Sequence, residues 1–232
     1  MKNNYAIFTS NSSRHTYFVQ KLCEVITPEI IVVEPKDFLV GEIRQCEIEY
    51  FGENEHLKDV LLLNPGEINS QKVETLCREN NIDIAFVFGT SLIKENIIKS
   101  VNKYLLNLHT GLTQFYRGVD SSFWAIHNDD LDKIGITVHK IDLGIDTGNV
   151  ILQERVEINS SDNEHSLFMK CCKLGTETIV KNIKIIDNNE IKVKKLEKQG
   201  KLYMKRHMNS EAKDVVRNTV HEKIRLYLEL NK

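Results

Sequence analysis

Long apolar runs are missing from this 232-residue chain. Its best stretches, residues 30–33 and 82–89, fall far short of the ~20 residues that cross a bilayer. A strand pattern starts near Tyr5 with no signal-type apolar region before it, so neither membrane insertion nor secretion is expected. The five cysteines are odd in number and form no CxxC pair, which excludes a disulfide framework and points to a reduced cytoplasmic interior. Among eight histidines there is no HExxH or HxxxH, so no metal is expected. Charge of one sign is also lacking: 31 basic against 33 acidic residues leave −2. Without a global field the chain has no means of gathering nucleic acid or an anionic membrane, and any phosphate must be held locally. Proline is scarce, with Pro28, Pro35 and Pro65 all in the first half, and there is no repeat or low-complexity stretch.

What is present is ordinary globular material, 41% hydrophobic and 28% charged, which excludes a disordered tail, a fibre and a coiled coil. The length suits one or two domains with a sizeable core. Strands are predicted over residues 6–9, 30–33, 82–88, 105–109 and 136–141, the third buried on both faces. Helices are predicted from the spacing of Phe18, Leu22 and Val25 behind an Asn11 or Ser12 cap, from Val73, Leu76 and Cys77, and around residues 122–128. This alternation predicts an α/β fold, a mostly parallel sheet with helices on both faces.

The last third changes character. Residues 150–158 predict a long strand. The capping-box pattern Ser161-x-x-Glu164 predicts a helix burying Leu167, Phe168, Cys171, Cys172, Ile179 and Ile183. Residues 190–206, with Lys192, Lys194, Lys195, Lys198, Lys201, Lys205 and Arg206, predict a solvated strand or hairpin, a phosphate site being the weaker reading. A helix over 211–230 is expected to pack on its own domain rather than form a dimer contact. The division is a catalytic domain over 1–185 and a hairpin-and-helix extension over 186–232.

Chemistry concentrates between Asn107 and Ile151. Asn107 and His109 alternate at the end of a predicted strand, so their side chains share a face, and ligands gather beyond strand ends in open α/β sheets. Asp146 lies in the glycine-bracketed loop after the next predicted strand. An amide donor, an imidazole and a carboxylate form a set for acyl transfer. No Ser or Cys sits in a nucleophile elbow, which favours direct attack by an amine over an acyl-enzyme. Taken singly, a strand-end His is more often structural and Asp-Thr-Gly more often a turn.

Asn107-Leu108-His109, Tyr116-Arg117-Gly118, Trp124-Ala125-Ile126, Gly135-Ile136-Thr137-Val138-His139 and Ile145-Asp146-Thr147-Gly148 together resemble the folate-dependent formyltransferase superfamily, in order and spacing. The resemblance implies a Rossmann-like domain that passes the formyl group of N10-formyltetrahydrofolate to a primary amine through a tetrahedral intermediate. It places the catalytic residues at Asn107, His109 and Asp146, with Asn107 and a protonated His109 stabilising the oxyanion. Phe88, Gly89, Thr90, Ser91 and Leu92 resemble the folate loop, with Gly89 permitting close approach, and Ile141, Asp142, Gly144 and Ile145 close the other side of the pterin. His139 is expected to pack or support.

Acceptor contacts are expected from Tyr116, Arg117 and Gly118, and from Ser10, Asn11, Ser12, Ser13 and Arg14, where a phosphate site and plain helix capping stay open as alternatives. The family's prolines after its catalytic His are absent from His109-Thr110-Gly111-Leu112-Thr113, which should alter the acceptor side of the loop. The chain is expected to be too short for the extra domain of the tRNA enzyme, and its first strand starts too early for the regulatory domain of the folate hydrolase. The expected acceptor is therefore a nucleotide-linked amino sugar of surface-polysaccharide synthesis, such as lipopolysaccharide. The alternatives are glycinamide ribonucleotide and a non-catalytic folate- or nucleotide-binding module. For the sugar branch the resemblance allows a homodimer.

Overall fold

The computed structural model describes residues 3–36, 39–53 and 57–231. The elements run β1 (Tyr5–Thr9), α1 (Ser13–Cys23), β2 (Pro28–Val33), α2 (Glu42–Phe51), β3 (Leu61–Leu62), α3 (Gln71–Glu79), β4 (Ile84–Phe88), α4 (Glu95–Ile98) and β5 (Tyr104–His109). They continue with β6 (Tyr116–Gly118), α5 (Ser121–His127), β7 (Gly135–Lys140), β8 (Val150–Arg155), α6 (Glu164–Lys181), α7 (Ile183–Asp187), β9 (Lys201–Tyr203) and α8 (Ser210–Leu230). Seven strands form one sheet in the order β3-β2-β1-β4-β5-β7-β8. The five from β3 to β5 are parallel, while β7 and β8 run antiparallel to their neighbours.

Alternation along the central strands feeds two cores. Tyr5, Ile7, Ile84, Phe86, Leu106 and Leu108 face a large cluster shared with α1, α5, α6 and α8. Ala6, Phe8, Ala85, Val87 and Leu105 face a smaller one with Val73, Cys77 and Ile97 of α3 and α4. With both faces covered, the strands read as continuous apolar runs. On the smaller face β5 continues from Leu105 to Asn107 and His109. Two polar side chains thus stand where that core ends.

Several boundaries differ from the sequence reading. Helix α1 stops at Cys23, leaving Val25 exposed. Most of the cysteines, Cys77, Cys171 and Cys172, are buried on helices, while Cys23 is exposed. The strand expected over 150–158 ends at Arg155. Helix α6 is capped by Asn163, not Ser161, because the Asn163 side chain accepts from the His165 and Ser166 N–H groups while Ser166 Oγ accepts from the Asn163 N–H. Ile183 opens the separate helix α7.

Of the strand or hairpin expected at 190–206, the structure shows a strand, β9, and no hairpin among the described residues. Lys194 bridges to Val150, and β9 then pairs in parallel with β6, Tyr116 opposite Lys201 and Gly118 opposite Tyr203. A three-residue strand has too little pattern to announce its partner; Tyr203 is drawn in by stacking on Trp124 at 4.2 Å. The lysines of 192–201 are solvated. Helix α8 buries Ala212, Val216, Val220 and Ile224, a four-residue stripe, in the large cluster beside α5. Ile224→Ala should cost about 2–4 kcal/mol by cavity formation and lower one shared unfolding transition. Two separate transitions by circular dichroism and tryptophan fluorescence would instead make 186–232 an independent unit.

Candidate active site

Antiparallel register does the first part of the assembly. Strand β7 sets His139 opposite Asn107 and Thr137 opposite His109, and a bulge between Val138 and His139 interrupts the pairing with β8, re-aiming the strand there. The following loop returns over β5. At its turn Asp146 adopts φ +50°, a left-handed conformation that Asp tolerates better than most residues.

The Asp146 carboxylate ties four segments together. The Gly118 N–H donates to Oδ2 at 2.8 Å, with His109 Nδ1 at 3.4 Å from the same oxygen. Oδ1 lies 3.4 Å from Asn107 Nδ2 and 3.3 Å from His139 Nε2. Burial raises the Asp146 pKa, but the two imidazoles and the Gly118 N–H outweigh it and hold the carboxyl below its usual range. It stays ionised.

His139 Nδ1 donates to the Lys140 carbonyl at 2.9 Å. Its Nε2 lies 3.2 Å from the Asn107 amide nitrogen and 3.3 Å from Asp146 Oδ1, so the ring bridges the two. The sequence reading gave His139 only packing or support; its ring is buried but orients the amide.

His109 is 6% exposed, and burial, its largest influence, lowers its pKa below the ordinary 6.5 against the pull of Asp146. Burial thus favours the neutral ring, where the sequence led to the expectation of a protonated one. Its Nε2 is 3.1 Å from Ser121 Oγ and 3.2 Å from the Tyr116 carbonyl. Ser121 can donate to a neutral Nε2, leaving Nδ1–H for Asp146, whereas the carbonyl can only accept from a protonated Nε2.

Ser121, buried at the start of α5, escaped the sequence reading because a helix-start serine looks like a cap. Gly111 covers this contact: a Cβ there would sit 2.6 Å from His109 Nε2 and 2.4 Å from Ser121 Cβ. In place of the family's prolines, Thr137 Oγ1 donates to the Gly111 carbonyl at 2.7 Å and accepts from the Thr113 N–H at 3.3 Å.

A cavity of about 320 Å³ opens beside this cluster. Asn107, His139 and Asp146 line it, as do Thr90, Ser91, Leu92, Ile141, Asp142, Gly144 and Ile145; His109 does not. Val87, Ile93, Ile141 and Ile145 give it apolar walls, which with the polar groups of 90–92 and 142–144 suit a flat heterocycle with a hydrogen-bonding edge. Phe88 and Gly89 stand behind it. Phe88 packs in the large core, and Gly89, at φ +82°, makes room for the His15 ring, 2.2 Å from where a Cβ would be. Glu34, fully buried and unmarked by the sequence reading, accepts from the N–H groups of Gly66, Ile68 and Ser91 and so pins the 88–92 loop.

Residues 10–14 lie apart from this cavity. The Ser12 hydroxyl is 2.7 Å from His15 Nδ1, Ser13 Oγ accepts from Arg44, and Arg14 pairs with buried Glu47 at 2.6 Å. Ser10 is buried and Asn11 half-buried. Capping is thus the use the structure shows for Ser12. Tyr116 is turned to Asp130, and Arg117 donates to the carbonyls of Gly200 and Ile145. Gly118 alone of that trio lines the cavity.

A sequence model described as Formyl transferase matches residues 18–183. The chain belongs to this family. Methionyl-tRNA formyltransferase of Kosmotoga olearia is 36% identical over 113 residues, covering 49% of this chain and 36% of that enzyme. GDP-perosamine N-formyltransferase of Brucella melitensis is 38% identical over 78 residues, covering 34% of this chain and 30% of that enzyme. The chain therefore spans well under two thirds of these curated relatives. Among solved structures, the N-formyltransferase from Helicobacter canadensis, in complex with folinic acid and dTDP-3-aminofucose, superposes with a TM-score of 0.64 at 21% identity. It covers 88% of this chain and 72% of that one. That similarity establishes the Rossmann-like fold.

No helix among the described residues is long and apolar enough to cross a membrane, and none of their His, Cys, Asp and Glu side chains cluster to hold a metal. Ser121→Ala removes the donor to neutral His109 Nε2 and so should raise the His109 pKa towards 6.5. An NMR titration of the ring that shows no upward shift would refute this tautomer.

Proposed function

We propose that this formyltransferase-family chain moves a formyl group from N10-formyltetrahydrofolate to the amino group of a nucleotide-linked amino sugar. The observation that carries the formyl-transfer reading is the Asn107–His139–Asp146 edge of the small cavity, backed by the buried Asp146–His109 pair. Thr90, Ser91, Leu92, Ile141, Asp142, Gly144 and Ile145 would hold the folate, which supplies an activated formyl carbon when bound.

Asn107 is the donor facing the cavity. Its N–H to Asp146 is long at 3.4 Å, hence weak, and is the one free to turn to a formyl oxygen as charge develops there. Ionised Asp146, lining the cavity, receives the proton leaving the attacking amine and gives it up to the amine released from the formyl carbon, which regenerates the carboxylate. The Nδ1–H of neutral His109 and the Gly118 N–H hold that carboxylate in place. His109 is in this reading a positioning residue.

The amino-sugar acceptor is favoured by the Tyr116-Arg117-Gly118 and Trp124-Ala125-Ile126 blocks and by the sugar enzymes among its relatives and structural neighbours. A methionyl-tRNA acceptor is the reading favoured by the Kosmotoga similarity. Incubation with formyl donor and, separately, dTDP-, UDP- and GDP-linked amino sugars, glycinamide ribonucleotide and methionyl-tRNA decides between them. Turnover of either of the last two with no amino sugar accepted overturns the choice; turnover of none leaves the binding-module reading. Asn107→Ala should lower kcat about 10²–10³-fold with folate affinity retained, as measured by steady-state kinetics and calorimetry. Because a protonated His109 would make the Asp146 carboxylate a weaker base, kcat should fall as pH drops through the depressed His109 pKa, below 6.5; His109→Ala should be slow and lack that acid limb, and a pH profile keeping the limb in His109→Ala would assign it elsewhere.

A further inference from the structure

The lysine-rich stretch before β9 lines no part of the cavity beside Asn107 and Asp146, yet it borders a space of its own. A cavity of about 490 Å³ lies between residues 198–201 and the segment 114–116, with Asn128, Asp130, Lys133 and Tyr203 also lining it. It shares no lining residue with the 320 Å³ cavity of the candidate active site.

This lining is rich in donors and poor in acceptors. Lys133, Lys198 and Lys201 bring three ammonium groups against one carboxylate, Asp130. That carboxylate is already engaged: the Tyr116 hydroxyl donates to it at 2.5 Å, and Lys133 pairs with it. The Lys201 ammonium has a ring contact, 4.9 Å from the centre of Tyr203, and no carboxylate partner among the described residues. No hydrogen bond, ion pair or ring contact engages the Lys198 side chain among them. Tyr203, 4% exposed, lends its hydroxyl oxygen to the Asn128 amide at 2.9 Å, and nothing among the described residues accepts its proton. An O–H on so buried a side chain ordinarily finds an acceptor.

We propose that this cavity binds the phosphoryl group of a small phosphorylated molecule, with Lys198 and Lys201 neutralising its charge and the Tyr203 O–H donating to one of its oxygens. Lysine suits phosphate as a point charge, and a phosphate offers more acceptor oxygens than a carboxylate to a set of donors such as this. Like charges gathered along one short segment repel, and an anion between them turns that repulsion into attraction. The net charge of −2 supplies no wider field for a long polyanion, which restricts the ligand to a small molecule. The site is independent of which amine accepts the formyl group.

Calorimetric titration of the whole protein with inorganic phosphate, pyrophosphate and ribose 5-phosphate, at one fixed low ionic strength, tests the placement. All three carry the phosphoryl group, and the tightest of them tells a free ion from an ester as its source. Lys198 and Lys201 are exposed, so the Lys198→Glu/Lys201→Glu variant should fold. It should weaken the best-bound of the three about tenfold or more, the scale of reversing two charges beside an anion. Tyr203→Phe keeps the ring that stacks on Trp124 and should weaken the same anion about three- to tenfold through the lost donor. Both variants should retain the wild-type affinity for folinic acid. A wild type that binds none of the three overturns the proposal. So does an affinity that the double variant leaves at the wild-type level, because the anion then sits elsewhere. An affinity unchanged in Tyr203→Phe overturns it as well, because attraction by exposed lysines alone is not a site.

Discussion

The buried negative charge of Asp146 organises this molecule's chemistry. A carboxylate removed from water is costly unless every oxygen finds a donor or a cation, and here the partners come from four places: the Gly118 amide, the imidazoles of His109 and His139, and the Asn107 side chain. Because the partners lie on three strands, satisfying one charge fixes β5, β6, β7 and the carboxylate's own loop relative to one another. The left-handed backbone at Asp146 is the strain accepted to bring it there.

The fold supplies the partners through a change of strand direction. Were β7 parallel to β5, its chain end would leave the sheet at the His109 end, and Asp146 would have to reach the cluster from there. Running antiparallel, β7 lays His139 beside Asn107 and sends its loop back across both. The β6–β9 pairing has a matching role. Gly118, at φ +88°, has no room for a Cβ, which would lie 2.0 Å from the Tyr203 carbonyl. The C-terminal third, though remote from the cluster, thus pairs with the strand that carries one of its donors.

The same stretch, 118–121, presents a backbone N–H to the carboxylate and the Ser121 hydroxyl to the buried imidazole, so one short segment serves both members of the Asp146–His109 pair.

Periodicity along the chain determined much: the buried two-faced strand at 84–88, the apolar stripe of α6, and the common face of Asn107 and His109 all follow from local pattern, because burial on one or two faces repeats every 2 or 3.6 residues. The family motifs identified Asp146 and the 90–92 and 141–145 loops as companions. Tertiary structure alone decided what has no local signature. The neutral state of His109 comes from burial by residues far away in sequence, and the use of Ser121 and His139 depends on which ring nitrogen meets which neighbour. The partnership of Tyr116–Gly118 with Lys201–Tyr203, and the turning of Ser12, Ser13 and Arg14 inward to His15, Arg44 and Glu47, join segments up to about 85 residues apart. Such pairings are set by competition among many possible contacts, which only the packed chain resolves.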